Sequence, residues 1–453
     1  MLKGRELVVK PVLTYSTYER HEATSWRAWG GIATEREAND EAHRIENELK
    51  DVRERAEFPI KFLPISMVKS YNDISSMEKA DVILLYAAGG DEGLLTNILT
   101  RGSTVVFLRH KSGPLYLWYE IIDARLIRHY TDNIGQNWID YDDVVVDSYD
   151  ELLKRLRALY ALKNIFGAKV VAVGGASGVC VGKKAVELAE KKWNLNIVEI
   201  SYSELSERIK KLRSSEEYMK EARQRTKEYL SEEGVQLKTK EDFVVNAFIL
   251  YYVFKQLLEE NSANIITVNE CMSTIMPIAE TTACLTLSLL NDEGYLAFCE
   301  SDFVAIPAGI LLHYISSKPV FLNDPTLPHD GIVTIAHCTA PRLMNGKSRE
   351  PAQIVTHFES DYGAAPKVEF KKGQVVTLLV PDFEEKTWIS FRGKIVDTPF
   401  LPICRSQADV EIEGDWHRLL QELRGFHWIM TYGDYNQEIG YALKKARMNW
   451  IKI

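Results

Sequence analysis

The stretch YLAFCESDFVAIPAGILLHYISSKPVFL, residues 295–322, alternates between strand-like and helix-like segments. Residues 295–298 are apolar and predict a short buried strand, and residues 304–315 predict an apolar helix. Residues 320–322 predict the next strand. A strand, a helix and a strand in succession are typical of a parallel sheet, because parallel neighbours need a crossover connection. The stretch therefore predicts an α/β fold.

The same alternation extends toward the N-terminus. Predicted strands and helices alternate through residues 1–165, with strands at 7–13, 60–65, 82–86, 105–108 and 144–146 and helices at 35–54 and 149–164. A second series begins at strand 169–173 and continues through 197–200, 265–268, 295–298, 320–322 and 332–335. We therefore predict two doubly wound α/β domains, residues 1–165 and 166–340.

The pattern changes after about residue 340. Short apolar or alternating runs such as VTLLV (376–380) and TWISFR (387–392) are joined by turn residues. Such runs are typical of antiparallel sheets and barrels. We predict that residues 341–453 form a C-terminal antiparallel, barrel-like β-rich domain with terminal helices.

Composition excludes some classes of function. The 453 residues carry 55 Lys and Arg against 64 Asp and Glu, a net charge of −9. This balance argues against nucleic-acid binding, which needs a concentrated basic surface. The N-terminus lacks the apolar region of a signal peptide, and the longest apolar run is too short to cross a bilayer. We expect a cytoplasmic protein that binds neither nucleic acid nor membrane.

The six cysteines have no recognisable metal or disulfide pattern. None forms a C-x-x-C pair or has zinc-finger spacing, and six cysteines in 453 residues do not indicate a disulfide scaffold. The pattern favours small buried side chains in a packed core.

Acidic and imidazole side chains follow three predicted strands. Glu270 follows strand 265–268, Glu300 and Asp302 follow strand 295–298, and His337 follows strand 332–335. The carboxyl ends of parallel strands form the crevice where ligands bind. Carboxylates and an imidazole there would suit Mn²⁺ or Mg²⁺ better than a soft metal. As alternatives, Asp302 would cap the next helix, and His337 would be a buried core histidine.

Several segments resemble the L-fucose/L-arabinose isomerase superfamily. They are residues 283–321, GIVTIAHCTAPRL (331–343), HFESDYGAAPKVEFKKGQVVTLL (357–379), GKIVDTPFLPICRSQADVEI (393–412) and GFHWIMTYGDY (425–435). The resemblance covers roughly residues 264–435, and the earlier residues resemble that superfamily only in architecture. It implies an aldose–ketose isomerase that uses a divalent metal, usually Mn²⁺, and assembles as a homotrimer or homohexamer.

The resemblance also implies roles for individual residues. Glu300 matches a carboxylate ligand and base of the arabinose-type enzymes, Asp302 matches a carboxylate of the fucose-type enzymes, and His427 matches a histidine ligand of both. His337, which stands where the arabinose-type enzymes have a second carboxylate and so departs from the family pattern, completes the expected metal site. The second base is either Glu270, which lies at a strand end, or Glu280, which has the family spacing.

Such an enzyme would move a proton between C1 and C2 of a pentose or 6-deoxyhexose through an enediol. Arg405, Trp428 and Tyr432 are candidate sugar-binding residues, with core packing as the alternative for the two aromatic rings. Other functions stay open: a sugar-binding protein, an isomerase relative with altered chemistry, and a nicotinamide-dependent oxidoreductase. The last rests on VVAVGGASG (170–178) and Glu199, although this glycine turn does not fit G-x-G-x-x-G.

Overall fold

The structure is a computed structural model that describes residues 4–127 and 139–453. The chain divides into two compact units, one ending at Lys163 and the other spanning Asn164–Ile453. The division of residues 166–453 at about residue 340 stays a prediction.

The first unit is built on a parallel sheet. Its strands are β1 (Leu7–Thr14), β2 (Ile60–Phe62), β3 (Ser66–Val68), β4 (Val82–Ala87), β5 (Ser103–Leu108) and β6 (Val144–Val146). They lie in the order β2-β1-β4-β5-β6, with β3 pairing β1, and every pairing is parallel. All six residues of β4 are buried, as expected of a central parallel strand.

Helices connect these strands. They are α1 (Glu35–Arg55), α2 (Tyr71–Ser75), α3 (Glu92–Leu99), α4 (Leu117–Ile122) and α5 (Tyr149–Ile165). The longest, α1, begins after Thr34, whose side chain accepts a hydrogen bond from the backbone of Glu37, and the Glu37 carboxylate accepts one from the backbone of Thr34. This reciprocal cap satisfies backbone N–H groups that the first helical turn leaves unpaired. The first predicted α/β domain is therefore confirmed in its architecture.

A second parallel sheet begins the other unit. Its segment contains β7 (Lys169–Val173), β8 (Asn196–Ile200), β9 (Val235–Leu237), β10 (Ile265–Val268) and β11 (Leu296–Phe298). Four of these strands pair in the order β11-β10-β7-β8, all parallel. The helices of this segment are α6 (Lys183–Trp193), α7 (Tyr202–Arg213), α8 (Glu216–Leu230), α9 (Glu241–Glu260), α10 (Met276–Ala279), α11 (Cys284–Asp292) and α12 (Ile306–Ser316). The apolar helix α9 packs in the core and the charged α8 covers it, as their compositions predict.

The C-terminal segment contains a closed barrel. The elements of this segment are β12 (Phe321–Pro325), β13 (Ile332–His337), β14 (Ala352–Val355), β15 (Ala365–Val368), β16 (Val375–Val380), β17 (Thr387–Asp397), β18 (Ser406–Glu413), α13 (Trp416–Gln421), β19 (Trp428–Tyr432), α14 (Asn436–Lys445) and β20 (Asn449–Lys452). Six antiparallel strands run in the order β16-β19-β12-β13-β18-β17, and β17 pairs back with β16. Closure leaves these strands no free edge within the ring. The barrel-like C-terminal domain is thus confirmed.

Two strands differ from their predicted place. Residues 320–322 and 332–335 were expected to extend the central parallel sheet, but β12 and β13 are antiparallel barrel strands. A short apolar run indicates that a strand is buried, but not whether its neighbours are parallel or antiparallel. The sequence pattern therefore assigned both strands to the wrong sheet. The barrel therefore begins at Phe321.

Among the described residues, no single helix has the length and apolar composition needed to cross a bilayer. Two short apolar segments, Cys271–Ala279 and Cys284–Asp292, reach that length only together, across an 87° bend.

Burial of His313 makes a pH-dependent contribution to stability. Its ring is 3% exposed inside α12, and Nδ1 lies 2.8 Å from the carbonyl oxygen of Lys318. Burial lowers the pKa of His313 from 6.5 to about 4. Between these values the unfolded chain binds a proton that the folded chain excludes, so stability falls as pH falls through this window. The full effect is about 3 kcal/mol.

We therefore expect the free energy of unfolding, measured by urea titration, to fall less between about pH 7 and about pH 5 in His313→Gln than in the wild type. The matched control is His43→Gln at an exposed position, which should keep the wild-type slope. Equal slopes in His313→Gln and the wild type would contradict the assignment.

Candidate active site

Neighbouring barrel strands bring polar side chains to one place by their register. Asp324 on β12 lies opposite Ala336 on β13, the residue before His337. The residue before Asp324, Asn323, lies opposite Trp428, which directly follows His427. Antiparallel pairing therefore groups Asp324, His337 and His427 at one edge of these three strands.

The parallel sheet supplies the fourth side chain. Glu300 lies just after β11, at the carboxyl end of that strand. Its Oε2 atom is 3.5 Å from Nε2 of His427, and its Oε1 atom is 3.8 Å from Nε2 of His337. Nε2 of His427 is also 3.3 Å from Oδ1 of Asp324. Two carboxylates and two imidazoles thus converge, and we call Glu300, Asp324, His337 and His427 the acid–histidine cluster.

Several atoms of the acid–histidine cluster that could ligate a metal have no hydrogen-bond partner among the described residues. Nε2 of His337, Nε2 of His427 and Oδ1 of Asp324 are buried without a hydrogen bond. Donor atoms of Glu300, His337 and His427 all lie within 4.8 Å of one another. Buried polar atoms without partners are costly, and separations this short allow one cation to contact all three groups.

Both histidines are held through their other ring nitrogen. Nδ1 of His427 donates to Oδ2 of Asp302 at 2.8 Å, and Nδ1 of His337 lies 3.0 Å from the hydroxyl oxygen of Thr339. A hydrogen bond at Nδ1 fixes the ring and leaves the lone pair of Nε2 for a ligand, as in many metal sites. Asp302 is 1% exposed, and its Oδ1 also accepts from the backbone of Val304. Asp302 therefore positions His427 and caps the following turn.

Neighbouring groups of the acid–histidine cluster shift one another's pKa values. The nearby imidazole of His337 is the main cause that lowers the pKa of Glu300 to about 2, against the effect of burial. Burial lowers the pKa of His337 and His427, but their carboxylate partners outweigh it and raise both. Burial raises the pKa of Asp324. Carboxylates and imidazoles this close together stabilise a positive charge between them. That charge can be a proton on an imidazole or a bound cation.

Backbone strain marks the same region. Glu270, Glu300 and Ser301 have φ angles of 44°, 62° and 45°, in the left-handed region that residues with a side chain rarely adopt. Such conformations cost on the order of 1 kcal/mol or more each and are concentrated at functional sites.

A cavity of about 670 Å³ opens at the cluster. Glu300, Asp324 and His337 line it, together with Glu270, His357 and Glu359. Its size lies in the range of small-molecule sites. The side chain of Glu300 is 46% exposed, so its carboxylate opens into this space.

The two candidates for the second base lie in different surroundings. Glu270 lines the cavity. Glu280 is outside it, 62% exposed, and forms an ion pair with Arg213 at 2.8 Å. Only Glu270 is therefore within reach of a molecule in the cavity.

Three other predicted residues do not line the cavity. Trp428 and Tyr432 are each 1% exposed inside the barrel, where Trp428 donates to the carbonyl of Arg424 and Tyr432 to Glu350. Arg405 donates to the carbonyl of Thr356 and lies over the ring of Phe358. Their contacts are thus within the protein.

Asp324, His357 and Glu359 face the cavity, and sequence reasoning did not select them. Asp324 did carry a usable signal, because it follows the apolar residues 320–322 as Glu300 follows its strand. The pair His357 and Glu359 lies in the loop after β14, where no regular pattern indicates direction.

Comparison with known proteins gives a distant similarity. A stretch of 165 residues, 35% of this chain, is 25% identical to sulfoquinovose isomerase of Alkalicoccus urumqiensis. The alignment spans 37% of that protein, so the chain matches well under two thirds of its length. No known protein-family profile matches the chain. The chain is thus distantly similar to a sugar isomerase.

Proposed function

We propose that this protein is a divalent-metal-dependent aldose–ketose isomerase acting on an uncharged pentose or 6-deoxyhexose. The observation that carries the proposal is the acid–histidine cluster at the wall of a sugar-sized cavity. The distant similarity to a sugar isomerase supports the same class of reaction. The resemblance to the L-fucose/L-arabinose isomerase superfamily includes Glu300 and His427 of this cluster.

Glu300, Asp324, His337 and His427 would hold the metal. Their unpartnered, buried Nε2 and Oδ1 atoms fit such a role, because a cation would satisfy all of them at once. Carboxylate oxygens together with imidazole nitrogens suit Mn²⁺. Mg²⁺ is the alternative ion, and it favours oxygen over nitrogen ligands. Asp302, expected from the sequence as a ligand, would instead act through His427.

The carboxylates of the chain supply the acid–base chemistry. When bound, the metal would stabilise negative charge that develops on the sugar oxygens. Glu300 opens into the cavity and is ionised at neutral pH, so it can take a proton from the carbon beside the carbonyl and return it to the neighbouring carbon. Glu270, in the same cavity, can carry the hydroxyl proton. His427 stays oriented through Asp302 while this occurs.

Charge favours an uncharged substrate. The cavity lining includes Glu270, Glu300, Asp324 and Glu359, and no Lys or Arg among the described residues that form it. A sulfonated or phosphorylated sugar would bring further negative charge without a basic partner. We therefore propose a neutral sugar.

A panel of aldoses incubated with the purified protein and Mn²⁺ tests this function. We expect ketose formation from a neutral pentose or 6-deoxyhexose, measured by chromatography. Absence of ketose from every sugar would refute the isomerase, and turnover of only sulfonated or phosphorylated sugars would refute the neutral substrate.

The orienting role of Asp302 leads to a prediction on metal affinity. In Asp302→Asn, the amide can donate to Nδ1 of His427, which shifts the ring proton to Nε2 and blocks ligation. We expect Mn²⁺ affinity to fall by about 10- to 100-fold, measured by titration calorimetry. Asp40→Asn on the exposed face of α1 is the control and should bind as the wild type does. Unchanged affinity in Asp302→Asn would exclude the orienting role.

We also propose that the enzyme acts in the cytoplasm, and that it assembles as a homotrimer or homohexamer, as the superfamily resemblance implies. Light scattering on the purified full chain measures the assembly, and a monomer would contradict it.

A further inference from the structure

A second group of metal-ligating side chains lies in the wall of the same cavity. Cys284, Cys338 and His357 each offer a donor atom within 4.8 Å of the others. All three are buried, and all three line the cavity. We propose that Cys284, Cys338 and His357 form a binding site for a thiophilic divalent cation of the Zn²⁺ class. We call them the thiol–histidine site.

The fold builds this site from distant parts of the sequence. Cys284 is the first residue of α11, Cys338 directly follows β13, and His357 lies in the loop between β14 and β15. Because these residues are far apart in the sequence, no short Cys spacing indicates such a site. The sequence therefore predicted only buried, packed thiols. All six cysteines are free thiols, which leaves sulfur available for ligation.

Local contacts fix each donor. Cys284 and Cys338 pack together in one buried cluster, and Cys404 packs against it. The backbone N–H of His357 donates to the carbonyl of Tyr362, and Nδ1 of His357 lies 3.4 Å from the hydroxyl of Ser360. The ring and the two sulfurs are therefore held near one another before any ion binds, which lowers the entropy cost of binding.

The donor set selects a different ion from that of the acid–histidine cluster. Two thiolates and an imidazole are soft or borderline ligands that favour Zn²⁺ and Cd²⁺ over Mn²⁺ and Mg²⁺. Three protein ligands leave the fourth tetrahedral position open, and here the cavity lies beside them. Ligation releases the two thiol protons to solvent. No residue belongs to both sites, so this site does not depend on the proposed isomerase reaction.

Cobalt titration of metal-free, reduced, full-length protein tests the proposal, because a thiolate–Co²⁺ bond gives a strong near-ultraviolet charge-transfer band. Ligation by the acid–histidine cluster gives no such band. We expect the band in the wild type and in Cys299→Ser, which removes another buried thiol of the cavity. In Cys284→Ser and Cys338→Ser, affinity at this site should fall at least about 100-fold and the band should disappear. A band that persists in Cys338→Ser would overturn the proposal.

A measurement on the wild type alone keeps the proposal testable if the serine variants do not fold. The ¹¹³Cd NMR spectrum of the cadmium-loaded protein should contain a resonance in the thiolate-ligated range. Resonances only in the range of oxygen and nitrogen ligands would overturn the thiol–histidine site.

Discussion

Glu300→Gln should lower the turnover number for aldose isomerisation by about 10²- to 10⁴-fold, the usual effect of losing a general base. Gln keeps the shape of the side chain but cannot accept the proton. It also removes the negative charge that faces His337 and His427, at 3.8 Å and 3.5 Å. Ketose formation under saturating sugar and Mn²⁺ gives the measurement.

The matched control is Glu280→Gln, the same substitution at an exposed carboxylate outside the cavity. It should keep wild-type turnover. Circular dichroism of both variants should match that of the wild type, since the side chain of Glu300 is 46% exposed and does not support the core. Turnover of Glu300→Gln within a few-fold of the wild type would remove Glu300 from the reaction.

His427→Ala should have two large effects at once. It removes a proposed metal ligand, so Mn²⁺ affinity should fall by more than about 100-fold. It also leaves the buried carboxylate of Asp302 without the 2.8 Å hydrogen bond from Nδ1. An unpaired buried carboxylate and the space left by the ring should lower the free energy of unfolding by about 3 kcal/mol.

A second substitution separates the two effects. The side-chain amide of His427→Gln can still donate to Asp302, so most of the stability should return while Mn²⁺ binding stays lost. His417→Ala, at an exposed position beside Trp416, should change neither quantity. Wild-type Mn²⁺ affinity in His427→Gln would show that His427 is not a ligand.

The sequence was informative where strand ends carry the chemistry. Glu300 and His337 were selected because each follows an apolar run, and the structure brings both to the cavity. His427 was selected by the family resemblance. It is far from Glu300 along the chain, so no local sequence pattern indicates their contact. The pairing of β19 with β12 brings His427 beside Asp324, and Glu300 reaches His427 from the end of β11 in the parallel sheet.

Side-chain direction could not be predicted from the same patterns. Asn323 and Asp324 are neighbours, and strand alternation sends one away from the cavity and the other into it. A shift of one residue would exchange them, and sequence alone does not give the register. Asp302 was expected to bind metal but turns inward to His427, and Cys284 and Cys338 meet only through tertiary packing.

Anomalous diffraction from crystals grown with Mn²⁺ shows directly whether the acid–histidine cluster binds the metal. We expect one strong manganese peak per chain within bonding distance of Glu300, Asp324, His337 and His427, with Asp302 hydrogen-bonded to His427 and outside the coordination shell. No peak at these four side chains, or a peak that contacts none of the imidazole nitrogens, would contradict it.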